Sequence, residues 1–217
     1  MLRTGLLGVT LFLAACGADS GSEAAGDADQ PVAAGSQSET PAAAQPARND
    51  ADGEGEVSSS QPMFASAYTK LDLASCKITH QEEEGESISW QCPGYKGVPL
   101  FVHAGDGRFD INAGVDNDSA WSTLMAFNEP GKTVEWRLLN GKPHAIIYRL
   151  HDVAPETPKR SVLFVEAIGM DRQPGCVVAQ IAGDTPNANE VARRHANDLF
   201  ENISCKDHET VEVGNAA

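Results

Sequence analysis

The sequence predicts an α+β domain, a mainly antiparallel sheet with one C-terminal amphipathic helix packed on it and two disulfides stapling it. Three observations carry this expectation. Eight short stretches between residues 76 and 181 are rich in alternating or β-branched apolar residues and are separated by turn chemistry. A single stretch after residue 187 repeats its apolar residues at helical spacing. Four cysteines, Cys76, Cys92, Cys176 and Cys205, lie within the same region.

The candidate strands are Cys76–His80, Ser87–Cys92, Val98–His103, Arg108–Asn112, Thr133–Leu139, Ala145–His151, Val162–Ile168 and Cys176–Ile181. Glu83-Glu84-Gly85, Gly105-Asp106-Gly107, Asn140-Gly141 and Gln173-Pro174-Gly175 supply the turns. Asn140-Gly141 is the sharpest of these, because both residue types accept the positive φ of a type I′ hairpin turn. A two-residue turn there pairs Leu139 with Lys142, Arg137 with His144, Trp136 with Ala145 and Val134 with Ile147. One face then carries Val134, Trp136, Leu138, Ala145 and Ile147 as core. The other carries Glu135, Arg137, His144, Ile146 and Tyr148, and Arg137, His144 and Tyr148 become a candidate ligand-reading surface. A solvated face is the plainer expectation. The segment from Asp118 to Phe127 reads equally as a short helix or an ordered loop.

The helix is expected over Ala188 to Ser204. Ala188, Val191, Ala192, His195, Ala196, Leu199, Phe200 and Ile203 form its apolar stripe, and Asn187 with Glu190 three residues on has the form of a capping box. An even cysteine count in an exported domain reads as two disulfides with three connectivities open. Cys76–Cys92 and Cys176–Cys205 are the favoured pairs, each contributing about 3–3.5 kcal/mol in the chain-entropy model. No metal site or cofactor is expected, since no C-x-x-C occurs and Cys76 to His80 is a poor ligand pattern. Asp116-Asn117-Asp118 lacks the glycine and distal glutamate of a calcium loop.

The chain has 217 residues and a net charge of −15. That balance argues against nucleic-acid binding and against a polybasic grip on a membrane surface. Arg3 followed by the apolar run Gly5 to Ala15 reads as a signal peptide over residues 1–15. It ends in Leu13-Ala14-Ala15-Cys16, which resembles the lipobox of bacterial lipoproteins. The resemblance implies cleavage before Cys16, lipidation of its sulfur and amino group, and a membrane partner reached through that anchor. Gly17 in place of Asp implies the outer membrane, with the domain facing the periplasm.

Residues 16–64 read as the lipidated cysteine and a disordered linker, with nine acidic residues against one basic, Arg48. A flexible chain of that length reaches about 35–42 Å. Residues 65–205 form the expected domain and 206–217 a disordered tail.

No G-x-S-x-G, H-E-x-x-H or P-loop pattern occurs. His103 with Asp106 and Asp110, where a strand enters a Gly-rich turn, is the densest candidate for a general base with an orienting carboxylate. A polar hairpin end is the plainer reading. His195, in the apolar stripe, reads as a core histidine. Trp121, if exposed on a loop with Met125 and Phe127, would be a contact patch.

The order Ser89-Trp90-Gln91-Cys92-Pro93-Gly94, Phe127-Asn128, Glu135-Trp136-Arg137-Leu138, Cys176 and Cys205 resembles exported domains of Gram-negative bacteria that carry no activity transferable to a residue. The expectation is therefore a lipid-anchored, non-enzymatic binding or structural module of the cell envelope, its partner an envelope protein, another envelope complex or cell-wall glycan. Bacterial lysozyme inhibitors offer an analogy in size and disulfide bonding, without a matched motif. The alternative is an envelope hydrolase using His103 with Asp106 or Asp110.

Overall fold

The computed structural model describes residues 61–217 apart from 84–86, 119, 156–158, 200–203, 207 and 217. The signal region, Cys16 and the linker up to residue 60 lie outside the described residues. Sheet A runs in the order β1 (Phe64–Lys70), β7 (Thr133–Leu139), β8 (Lys142–Asp152), β9 (Ser161–Ala167), β10 (Cys176–Ala182) and β11 (Val211–Val213), with β6 (Asn128–Pro130) also paired to β8. Its ladders are antiparallel except the parallel β10–β11 pair. Sheet B is antiparallel, in the order β2 (Lys77–Gln81), β3 (Ser87–Tyr95), β4 (Val98–Gly105) and β5 (Arg108–Ala113). The helix α1 (Ala188–Asp198) packs on sheet A. Among the described residues no helix is long and apolar enough to cross a membrane.

All eight strands expected from the sequence are present. Three further strands were not expected. β1 begins at Phe64, the last residue assigned to the linker, and β11 lies in the tail expected to be disordered. β6 begins immediately after the stretch from Asp118 to Phe127 that reads equally as helix or loop. Both disulfides form as expected, Cys76–Cys92 and Cys176–Cys205. The second joins the start of β10 to the chain just beyond the helix.

Sheet A is buried on both faces. Toward sheet B it presents Val134, Trp136, Leu138, Ile146, Tyr148, Leu150, Val162 and Phe164, which pack with Leu100, Val102 and Ile111. Toward the helix it presents Ala145, Ile147, Leu163 and Val165, against Ala188, Ala192 and Ala196. His195 is half-buried on that helix and lies outside the core clusters, short of the core position its place in the stripe suggested.

The β7–β8 register corrects the sequence expectation. Asn140 (φ 51°) and Gly141 (φ 80°) form the turn, and Leu139 pairs with Lys142. The ladder then slips. Leu138 pairs with Pro143, but Arg137 pairs with Ala145, Trp136 with Ile146 and Glu135 with Ile147. His144 is the extra residue of a β-bulge, and every side chain beyond it changes face. The consequence is physical. Bulky Ile146, Tyr148 and Leu150 fill the space between the sheets, while the smaller surface of Ala145 lets the alanine face of α1 approach.

The capping box does not form. Asn187 is left-handed (φ 57°, ψ 35°) and its side chain makes no cap hydrogen bond. The Thr185 carbonyl accepts the Ala188 amide at 3.0 Å instead.

The two sheets join along the edge of β5. Pairing with β4 leaves the amides of alternate β5 residues pointing outward. Side chains and backbone of neighbouring segments close that edge. Asn128 Oδ1 accepts from the Phe109 amide at 3.1 Å, and Glu166 Oε1 from the Ala113 amide at 3.1 Å. The Gly169 amide donates to the Ala113 carbonyl at 2.9 Å. An unpaired edge is thus converted into a seam between sheets.

Candidate functional site

The turn Asp106-Gly107 (φ 51° and 68°) sets the register of sheet B, pairing Gly105 with Arg108 and His103 with Asp110. His103 also pairs with Ser89 on β3. Directly paired residues share a sheet face, so Ser89, His103 and Asp110 form a row on the face of sheet B turned away from the core. The chain between β5 and β6 folds back over that row.

His103 is buried and bonded at both ring nitrogens. In the neutral ring Nε2–H donates to Asp116 Oδ1 at 2.7 Å, and Nδ1 accepts the Ser89 hydroxyl at 2.9 Å. Asp110 is fully buried. Its Oδ1 accepts the Ser122 amide at 3.0 Å and its Oδ2 accepts Asn112 Nδ2 at 3.1 Å. Burial pushes the Asp110 carboxyl up to about 6, opposed by the hydrogen bond from Ser122 and by the charge of His103. Asn112 Oδ1 accepts the Asn117 amide at 3.3 Å, and Thr123 Oγ1 donates to the Phe109 carbonyl at 2.6 Å. These groups hold the covering segment down.

Of the sequence candidates, His103 and Asp110 are therefore neighbours, and Asp106 is not part of the cluster. It lies exposed on the turn, paired with Arg108 at 2.6 Å. Asp116 and Ser89 complete the arrangement. The register implied by the Asp106-Gly107 turn could have found Asp110 opposite His103, but nothing local pointed to Asp116.

Ser89, His103 and Asp116 have the composition of an acyl-transfer relay. Their setting does not supply the rest of one. β3 is an interior strand, so its amides around Ser89 serve the ladders to β2 and β4 rather than an oxyanion. The imidazole is instead built into the support of a loop. Among the described residues no group of three or more His, Cys, Asp or Glu is placed to hold a metal ion.

What the loop presents is apolar. Trp121 is 39% exposed, Met125 80% and Phe127 53%, and Val153 beside them is 46% exposed. The Trp121 ring leans on the His103 ring with centroids 6.1 Å apart and covers Gly105. Phe127 lies over Gly107, where an added Cβ would meet its ring at 2.8 Å. Leu124 is buried as the anchor between them. Asn128 Nδ2 fastens the far end by donating to the Ala126 carbonyl at 2.9 Å, and the Val153 amide donates to the Phe127 carbonyl at 2.9 Å. The patch borders two adjoining clefts of about 640 and 600 Å³ that share Asp152, Lys159, Arg160 and Ser161. Asp152, buried, accepts from Arg160 Nε at 3.2 Å.

No family model, no curated protein and no solved structure matches this chain. Function has to be argued from the site alone.

The second candidate surface does not assemble. Arg137 and His144 lie under the helix. Arg137 is buried and donates to Asn197 Oδ1 at 3.2 and 2.7 Å, and His144 Nε2–H donates to the Ala196 carbonyl at 2.9 Å. Burial holds both the Arg137 guanidinium and the His144 imidazole below their usual values. Tyr148 points to the opposite side of the sheet, stacked on Phe164 in the core. The bulge at His144 is the reason.

Glu166 is a buried carboxyl that the sequence did not single out. Burial, with the Asp110 charge, holds it well above the usual carboxylate range, and its Oε2 has no hydrogen-bond partner among the described residues. A group whose folded value is raised contributes stability below its unfolded value and loses it as pH rises through the folded one. Glu166→Gln keeps an acceptor for the Ala113 amide but cannot ionise. In urea unfolding the variant is expected to match wild type near about pH 4 and to exceed it increasingly toward about pH 8.

Proposed function

We propose that the protein is a non-enzymatic binding module of the cell envelope, held at the outer membrane through lipidated Cys16 and facing the periplasm. Its contact surface is the apolar patch of Trp121, Met125, Phe127 and Val153, and its partner is an envelope protein. The single observation that carries this reading is the exposure of four large hydrophobic side chains on one buttressed loop and its neighbour. Isolated exposed hydrophobics are ordinary, but a cluster with a polar surround marks an interaction surface. The aromatic rings lie over the two glycines of a tight turn rather than inside a cleft, which suits a flat protein surface better than a small ligand. Exposed Asp106, Asp116 and Asp118 border the Trp121 end, so the partner is expected to bring basic residues to the rim. The alternative reading, His103 as a hydrolytic base with Asp106 or Asp110, has less support, because Asp106 is exposed on the turn and paired with Arg108 while Asp110 serves the loop.

In-cell crosslinking with affinity capture tests this. Trp121→Ala is expected to weaken capture of the principal partner about 30-fold or more, the loss of a central aromatic anchor. Cys16→Ala is expected to move the protein out of the membrane fraction. Unchanged capture by a folded Trp121→Ala protein would remove the patch from the reading. Retention on isolated cell-wall material that depends on Trp121 would replace the protein partner with glycan.

A further inference from the structure

The same cluster that supports the patch is titratable. We propose that Asp110 makes the Trp121 end of the patch responsive to pH, the segment 120–122 being held against sheet B in acid and released more readily toward neutral pH. The inference rests on the reading of Trp121 to Phe127 as the contact surface and adds the control of that surface.

The geometry gives the segment two unequal ends. The end at Thr123 to Phe127 is fixed by the Thr123 hydroxyl on the Phe109 carbonyl, by a buried leucine, by Asn128 and by the Val153 amide, none of which titrates. The end at Trp121 and Ser122 is fixed by the Ser122 amide on Asp110 Oδ1 and by the Trp121 ring against His103, whose Nε2 is bound to Asp116. Among the described residues, the groups that face Asp110 are His103 from β4, Asn112 from its own strand, the Ser122 amide from above, and Tyr148 from β8 and Glu166 from β9 below. Burial raises both the Tyr148 hydroxyl and the Glu166 carboxyl above their usual values, which disfavours a second negative charge beside Asp110.

The sign follows from which form of the segment binds the proton. Burial, to which the overlying segment contributes, raises the carboxyl from 3.8 to about 6 against the opposing hydrogen bond from Ser122. Lifted away, the segment returns the carboxyl to water and toward its ordinary value. The closed form therefore holds a proton that the open form releases, and acid favours closure.

Hydrogen–deuterium exchange on the intact protein, without a partner, tests the proposal independently of what binds. After correction for intrinsic exchange, the opening constant of peptides covering Ser122 is expected to be about tenfold larger at about pH 7.5 than at about pH 5. Peptides from β9 should show no comparable change. Asp110→Asn should flatten the profile, and His103→Gln should keep it. A flat profile in wild type overturns the proposal, as does an equal rise in β9 or a rise that persists in Asp110→Asn. If Asp110→Asn does not fold, the fluorine shift of 5-fluorotryptophan at position 121 in His103→Gln decides. A midpoint near 6 supports the proposal, and no titration between about pH 5 and 7.5 overturns it. Partner capture that does not depend on Trp121, with this profile intact, would instead count against the contact surface.

Discussion

Glu135→Ala is expected to destabilise the domain by about 3–5 kcal/mol, because it leaves a buried guanidinium without its carboxylate. Glu135 is nearly inaccessible between β7 and the helix. Its Oε1 accepts the Ser66 hydroxyl at 2.6 Å and Arg193 Nε at 2.7 Å, and its Oε2 accepts Arg193 Nη2 at 3.1 Å. Arg137 Nη1 stands 3.7 Å from Oε1 and donates to Ser66, while its other nitrogens reach Asn197 on the helix. The carboxylate thus joins β1, β7 and α1. Its hydrogen bond holds Arg193 above its usual value, whereas burial works on Arg137 in the opposite direction. Removing Glu135 strands Arg137, which is the less accessible of the two. Arg193→Met should cost much less, since that side chain is about one-third exposed and its methylene stem can still cover the sheet. Urea unfolding of both variants checks the ranking. Similar losses from the two would show that the contact with the helix, rather than the stranded charge, sets the cost.

Trp136→Ala is expected to remove a further about 3–5 kcal/mol, measured the same way. Trp136 is wholly buried between the sheets. Its indole N–H donates to Thr69 Oγ1 at 2.8 Å, and its ring meets that of Tyr95 with centroids 6.0 Å apart. The opposing strand is shaped around it. A Cβ on Gly94 would lie 2.9 Å from the indole and 2.0 Å from the Val98 carbonyl. A site so closely fitted to backbone cannot collapse onto the missing ring, so the cavity term persists. Trp136→Phe should lose less, giving up the Thr69 hydrogen bond and part of the ring volume. If alanine and phenylalanine cost the same, the hydrogen bond would be the dominant contribution.

The chain by itself determined the features whose cause is local. Asn140-Gly141 dictated a hairpin because its two residues accept positive φ, and alternation from residue 133 to 139 dictated the strand that enters it. The alanine-rich stripe from Ala188 dictated a helix with a small-residue face. Four cysteines in one domain pointed to two bonds, and the favoured pairing is the one formed.

Tertiary structure decided everything that depends on a distant surface. β1 and β11 are weak as isolated segments and exist because β7 and β10 offer them open edges. The bulge at His144 follows from the two cores either side of sheet A, which need bulky side chains between the sheets and small ones under the helix. No period-2 reading of β8 alone contains that demand, so Arg137, His144 and Tyr148 could not be sorted in advance. The loop support was half legible. Turn register places Asp110 opposite His103, but Asp116 and Ser122 reach the cluster only because the segment after β5 folds back on a sheet face whose polar row needs covering and partners.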